Sequence, residues 1–172
     1  MKSILEIIKK RRSIRNFQKK EIPEEIIDKL IEALIWAPSS GNLQARKFYF
    51  IFNQKIKERL VGEAFVQSFI IEAPLVVIGC QGEEIARRYG GRGKNLYSIC
   101  DVAVSIQNLM LLAYEKGLGS VWIGRFDEKI VSRVLNLPEN LRPIVIVPVG
   151  YPAESPSAPS RASKEEAVRL IK

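Results

Sequence analysis

Apolar residues recur along this chain with two periods, and the switches between them mark out its elements. Ile4, Leu5, Ile7 and Ile8 give residues 3–10 the apolar side of a short helix. Ile26, Ile27, Leu30, Ile31, Leu34 and Ile35 fall three and four apart, which predicts a second helix with one apolar face. Pro23, Glu24 and Glu25 open it, a proline in the first turn and acids at the positive end of the helix dipole. It ends before Pro38, because the residue preceding a proline disfavours helical backbone. Residues 48–52 are aromatic and β-branched and predict a strand; residues 54–67 carry a weaker helical pattern through Ile56, Leu60 and Val61. Residues 73–78 form an unbroken apolar run after Ala73-Pro74, as expected of a central strand buried on both faces.

The pattern then fails. Residues 81–95 hold the basic, glycine-rich run Tyr89-Gly90-Gly91-Arg92-Gly93-Lys94, which lacks phosphate-loop spacing and reads as a mobile rim or lid. Residues 97–116 are helical and apolar almost all round, through Ile99, Val102, Ala103, Ile106, Leu109, Met110 and Ala113, and predict a buried central helix stopped by Gly117 and Gly119. Residues 121–124 read as a strand or strand end whose glycines do not fit a dinucleotide-binding fingerprint. Asp127 caps a short helix carrying Ile130, Val131, Val134 and Leu135, and residues 144–147 form a further core strand. From about residue 152 the chain becomes a Ser/Pro-rich extended arm, and Ser163 with Glu166 forms a capping box for a last helix. With no repeat and no boundary, residues 1–172 are expected to form a single domain. Its fold class is α+β, a three-layer sandwich with a four- to five-stranded mixed or antiparallel sheet between helices.

Composition narrows the chemistry. Apolar residues make up 47% of the 172, which is ordinary for a globular chain, and no apolar run reaches the length of a membrane span. The charged, helix-like N-terminus lacks a signal-peptide core, so cytoplasmic residence is the expectation, with no membrane partner. Cys80 and Cys100 both sit in apolar surroundings, form no metal pattern and read as buried thiols. The chain contains no histidine. That excludes Ser-His-Asp and Cys-His nucleophiles and imidazole metal sites, so an enzyme built on it would leave its chemistry to a bound cofactor. The net charge of +8 points to an anionic partner.

Two stretches carry polar groups suited to a ligand. Arg11-Arg12-Ser13-Ile14-Arg15 places three guanidinium forks and a hydroxyl within five residues, while Ile14 and Phe17 can anchor in a core. It fits a phosphate site and equally a solvated basic turn. Ala37-Pro38-Ser39-Ser40-Gly41-Asn42-Leu43-Gln44 joins a strong helix to a strong strand. Its hydroxyls and amides can satisfy a heteroaromatic ring edge, or can simply cap a turn.

In their order along the chain, these pieces resemble the nitroreductase-like family of FMN-dependent oxidoreductases. The resemblance rests on the two stretches above, on Glu72-Ala73-Pro74, on Asp101 and on Gly117-Leu118-Gly119-Ser120-Val121-Trp122-Ile123-Gly124. Gly150-Tyr151-Pro152, leading into an arm with Arg161, completes it. The resemblance implies FMN at the interface of an intertwined homodimer. Arg11, Ser13 and Arg161 would hold its phosphate, with Arg12 near the ring or the phosphate and Arg15 also among the cofactor-binding residues. Pro38, Ser39, Ser40 and Asn42 would reach the flavin from the partner subunit, Trp122, Ile123 and Gly124 would line the ring, and Gln67 would lie at its edge. It further implies ping-pong hydride transfer from NAD(P)H through flavin N5 to a small oxidised acceptor, a nitroaromatic, quinone or flavin, with no catalytic side chain and no metal. Where relatives often carry Pro-Trp after Gln44, this chain has Ala45-Arg46. Two rival readings are an FMN store or sensor without turnover and a basic nucleic-acid-binding module. The acids Glu21, Glu24 and Glu25 directly behind the basic cluster, and the lack of a recognition signature, argue for no nucleic acid.

Overall fold

A computed structural model describes residues 3–172, and its centre is a four-stranded antiparallel sheet. The strands are β1 (Arg46–Ile51), β2 (Leu75–Gly82), β3 (Gly119–Ser120) and β4 (Leu141–Gly150), arranged in the order β1-β2-β4-β3. The helices are α1 (Ile4–Lys10), α2 (Glu24–Ile35), α3 (Gln54–Ala64), α4 (Ala86–Arg92), α5 (Ser98–Glu115), α6 (Glu128–Leu135) and α7 (Lys164–Ala167). Alternate residues of a strand face opposite sides, and here both sides are apolar. Leu75 and Val77 of β2, with Val145, Val147 and Val149 of β4, pack against Leu30 and Leu34 of α2 and Val102, Ile106 and Leu109 of α5. Val76, Ile78 and Ile146 turn the other way, onto Leu60 and Ala64 of α3 and Val131 and Val134 of α6. The chain is therefore the expected α+β three-layer sandwich, and every residue of β2 is buried.

Several boundaries differ from the sequence pattern. The first strand starts at Arg46, two residues before its aromatic run, because Arg46 and Lys47 pair with Gln81 and Cys80. In place of a strand at 121–124, β3 lies just before it at Gly119–Ser120, and residues 121–124 keep only the bridge between Ile123 and Ile146. Residues 81–95 are largely helical rather than an irregular lid: α4 runs into a π-helical turn at Gly93–Tyr97 and then directly into α5. Gly90 interrupts α4 with φ +56°, which breaks the periodicity, while fully buried Ile85 anchors its start. The continuous helical stretch Glu83–Glu115 is long and apolar enough to cross a membrane by length and composition alone, where the sequence pattern predicts no run of that length. In the fold, α5 buries Val102, Ile106, Leu109, Met110 and Ala113 against the sheet and α2, as a core helix must. Cys80 is buried, whereas Cys100 is exposed, on the outer side of α5.

Beyond Tyr151 the chain leaves the core. No residue from 153 to 172 is buried, and the last helix is the single turn α7, with its capping box formed by Ser163 and Glu166.

Candidate functional site

The basic cluster begins where α1 stops. Arg11 is extended (φ −56°, ψ 136°) and gives its amide N–H to Ile7 as the last helical bond. From there the chain lies along the sheet edge: Ile14 donates its N–H to the Ser120 carbonyl at 3.1 Å, and Gln18 donates to Tyr151 at 2.9 Å. Ile14 and Phe17 are buried with Ala73. A side chain at position 119 would strike Ile14, since a Cβ there would lie within 2.9 Å of three Ile14 carbons. Gly119 thus lets the segment seat, and the alternation throws Arg11, Ser13 and Arg15 outward from it.

The arm meets them there. Ala153 donates its N–H to the Asn16 carbonyl at 2.9 Å, and the Glu154 carboxylate accepts the amide N–H groups of Arg15 and Asn16 together with the Asn16 side-chain amide. These donors hold the Glu154 carboxyl below its ordinary value, the Arg15 amide contributing most. So pinned, the arm forms a cleft of about 280 Å³ lined by Arg11, Arg12, Ser13, Arg15 and Arg161, with prolines and Ser157 closing it. No carboxylate lines this cleft. Burial lowers the Arg11 pKa first, and the nearby charges of Arg161 and Arg12 lower it further. Arg11 Nη1 is buried and has no hydrogen-bond partner among the described residues. A buried donor of this kind is costly unless an acceptor fills the space in front of it. Arg12 differs: its Nη1 turns back to the carbonyls of Lys9 (2.7 Å) and Arg11 (2.8 Å), closing the C-terminus of α1. Arg161 Nη1 donates to the Ser160 carbonyl at 2.8 Å.

Pro38, Ser39, Ser40 and Asn42 lie elsewhere, in a tight turn ahead of β1. Gly41, Asn42 and Gln44 all take positive φ, at 57°, 54° and 53°. Ser40 is tied to Asp101 at the start of α5 by its amide and its hydroxyl. Arg46 fans its guanidinium over four carbonyls, those of Ile35, Ala37, Pro38 and Asp101. Sequence reasoning treated Arg46 only as a departure and gave Asp101 no partner. The available signal was that Asp101 is the one charged residue between Lys94 and Glu115. Trp122, Ile123 and Gly124 run beside β4, with Ile123 buried and Trp122 partly exposed. Gln67 is exposed, ahead of the short turn Ser68–Ile71, and makes no hydrogen bond with its side chain there.

One chain does not bring these groups to one place. Ser120, beside Ser13, opposes Val149, which opposes Leu75; Arg46 opposes Gln81. Six residues of β2 separate those two levels, about 20 Å along the strand, and β1 and β3 are at opposite edges of the sheet. The arginine cleft and the Pro38–Asn42 turn are therefore two separate places, at opposite edges of the sheet.

Comparison with known proteins gives the family and the fold. The Nitroreductase family model matches residues 8–78 and 61–151. A protein of Methanothermobacter thermautotrophicus, provisionally named NADH dehydrogenase/NAD(P)H nitroreductase, is 32% identical over 157 residues, spanning 89% of this chain and 79% of its own length. A nitroreductase family protein of Clostridium difficile 630 superposes with a TM-score of 0.86 at 30% identity, over 100% of this chain and 99% of its own. An FMN-dependent nitroreductase of Clostridium difficile R20291 superposes at 0.81 with 26% identity, over 98% and 99% of the two chains.

Proposed function

Since the chain belongs to the nitroreductase family, we propose that it is an NAD(P)H-dependent oxidoreductase that holds FMN between two copies of itself. The observation that carries the reading is the buried, unpartnered Nη1 of Arg11 in a cleft of guanidinium groups with no carboxylate. Phosphate oxygens suit such a set, because planar forks meet them two at a time. Arg11, Ser13 and Arg161 hold the phosphate. Trp122, Ile123 and Gly124 of the same chain lie along the ring, and Pro38, Ser39, Ser40 and Asn42 come from the second copy. FMN, when bound, supplies the electron relay between NAD(P)H and an oxidised acceptor, a nitroaromatic, quinone or flavin. The chain itself binds, orients and keeps water from the exchange, which is all that a protein without histidine needs to do when the cofactor carries the chemistry. Donor and acceptor use the same place in turn, a ping-pong order.

The experiment is spectroscopic. The purified protein is expected to take up FMN to a yellow colour that NADH or NADPH bleaches without oxygen and that a quinone restores. Initial rates against both substrates should give parallel reciprocal lines. A colourless protein that takes up no FMN overturns the reading, and a coloured one that neither nucleotide bleaches leaves a flavin store instead.

A further inference from the structure

The proposed site leaves α4 unused, and α4 is the most concentrated cationic element outside the arginine cleft. Arg87, Arg88 and Arg92 are all exposed, and none has a carboxylate within ion-pairing distance among the described residues. This is a local choice, since Lys94 two residues on is paired with Glu83, and Arg59, Arg133 and Arg142 each hold a glutamate. The segment is also shaped. Tyr89 and Tyr97 meet edge to face with ring centres 5.4 Å apart, and Arg92 Nε donates to the Tyr97 hydroxyl at 3.0 Å. The Arg88 and Arg92 guanidinium carbons each lie 5.5 Å from the centre of a tyrosine ring, a cation–π distance. Two of the three forks are thereby held against tyrosine rings.

What makes α4 part of the site is its position over the Pro38–Asn42 turn. A Cβ on Gly41 would collide with the Tyr89 hydroxyl and stand 3.3 Å from Arg88 Nη1. Arg88 therefore stands against the turn that carries Ser40 and Asn42, with Arg87 and Arg92 on the same short helix, about 20 Å along the sheet from the same chain's Arg11 cleft. The cofactor's own phosphate is accounted for at Arg11, so a second cluster of unpaired forks serves a second phosphate.

Resting on the flavin reading above, we infer that Arg87, Arg88 and Arg92 form a docking site for a phosphate group on the substrate that enters over this turn. Two substrates carry that chemistry: the reducing nucleotide, whose 2′-phosphate separates NADPH from NADH, and a phosphorylated acceptor such as free FMN. The groups are exposed, so each contact is screened by salt and modest alone, and the three together are worth about a factor of ten in binding.

The test compares the FMN-loaded protein with its Arg87→Gln/Arg88→Gln/Arg92→Gln variant at low and high salt. Flavin content and anaerobic bleaching are recorded first. The saturation constant for reduction is then measured with NADPH and with NADH, and that for reoxidation with FMN and with riboflavin. The inference expects flavin content to stay at the parent's level and one phosphorylated substrate to weaken about tenfold relative to its unphosphorylated twin, with the difference fading at high salt. Separation of NADPH from NADH assigns the site to the reductant; separation of FMN from riboflavin assigns it to the acceptor. Separation in both pairs assigns the site to both substrates in turn; if neither phosphorylated substrate weakens more than its unphosphorylated twin, in a protein that is yellow and bleachable, the docking site is wrong and the flavin reading stands. If the parent takes up no FMN, both fall. Should the triple variant be recovered misfolded, Arg88→Gln alone carries the same comparison at a smaller factor.

Discussion

Ser40 donates both its amide N–H and its hydroxyl hydrogen to Asp101 Oδ1, each at 3.0 Å, across 61 residues of sequence. Asp101 is buried, so its charge rests on these donors. The pair ties the turn that resembles a flavin-binding element to the central helix of the core, and Arg46 binds the same turn from the other side through the Pro38 and Ala37 carbonyls.

Asp101→Ala strips the acceptor and leaves the Ser40 donors without a partner. Hydrogen bonds to a charged group contribute roughly 1.5–3 kcal/mol, so a loss of about 2–4 kcal/mol of stability is expected. Denaturant titration should show a lower midpoint at unchanged slope. Asp101→Asn keeps one acceptor and should lose less. An Asp101→Ala protein as stable as its parent would show the tie to be idle.

How much of this was readable beforehand follows from range. The sandwich was legible because each face depends on local periods: Leu30 and Leu34 of α2 four apart, and Leu75 to Ile78 as one apolar run. The arginine cluster and the polar turn were legible as compositions. Their anchorage was not, because Ser40–Asp101, Glu154–Asn16 and Arg46–Asp101 join residues that no local window contains. Nor was the behaviour of Arg12, which looks like its neighbours in sequence yet spends its fork on the carbonyls of Lys9 and Arg11. At α4 the three glycines hid a helix whose packing is aromatic rather than periodic.

Arg11 supplies a sharper test of the cleft than activity does. Without an anion its partly buried guanidinium is desolvated and faces Arg12 and Arg161, so it holds the fold back. Arg11→Met keeps the stem and removes the charge. The FMN-free variant should melt at or above the temperature of the FMN-free parent. Added FMN should raise the parent's melting temperature with concentration, as binding to the native state requires, and should barely move the variant. Riboflavin, which lacks the phosphate, should affect the two alike. A parent that FMN does not stabilise would contradict the clamp.

The two thiols should separate cleanly. Burial pushes the Cys80 thiol from its ordinary 9.0 up to about 12, while Cys100 lies exposed. A thiol reagent near pH 8 should label one cysteine in the native protein and two after unfolding. The raised value also has a stability consequence. Above pH 9 the unfolded chain releases the Cys80 proton and the folded chain keeps it, so the native state loses stability as pH rises from about 9 towards 12. The contribution is fully present below pH 9. Cys80→Val should flatten that part of the pH profile, and an equal slope in both proteins would assign the loss to other groups.

The last expectation separates assembly from cofactor capture. Apolar surface stands open at both ends of the described chain. Helix α1 buries none of its residues and exposes Ile4, Leu5 and Ile8, and the end of the arm exposes Val168, Leu170 and Ile171. In a two-fold dimer each surface occurs twice, so the arm of one copy can cover apolar surface on the other without leaving a surplus patch. A chain ending at Glu154 keeps the carboxylate that pins Arg15 and Asn16 and every core strand. It loses Arg161 and the arm beyond. We expect the full chain to weigh twice 19.5 kDa in light scattering, and the shortened chain to fold, shift towards the single mass and lose its flavin. Arg161→Ala removes the cation and leaves the arm. It should stay dimeric and hold FMN about ten- to a hundredfold more weakly, the range that one charge-assisted hydrogen bond supports. If the shortened chain remains a full dimer, the arm does not carry the assembly. If Arg161→Ala instead falls apart into single chains, Arg161 serves the interface and the phosphate rests on Arg11 and Ser13 alone.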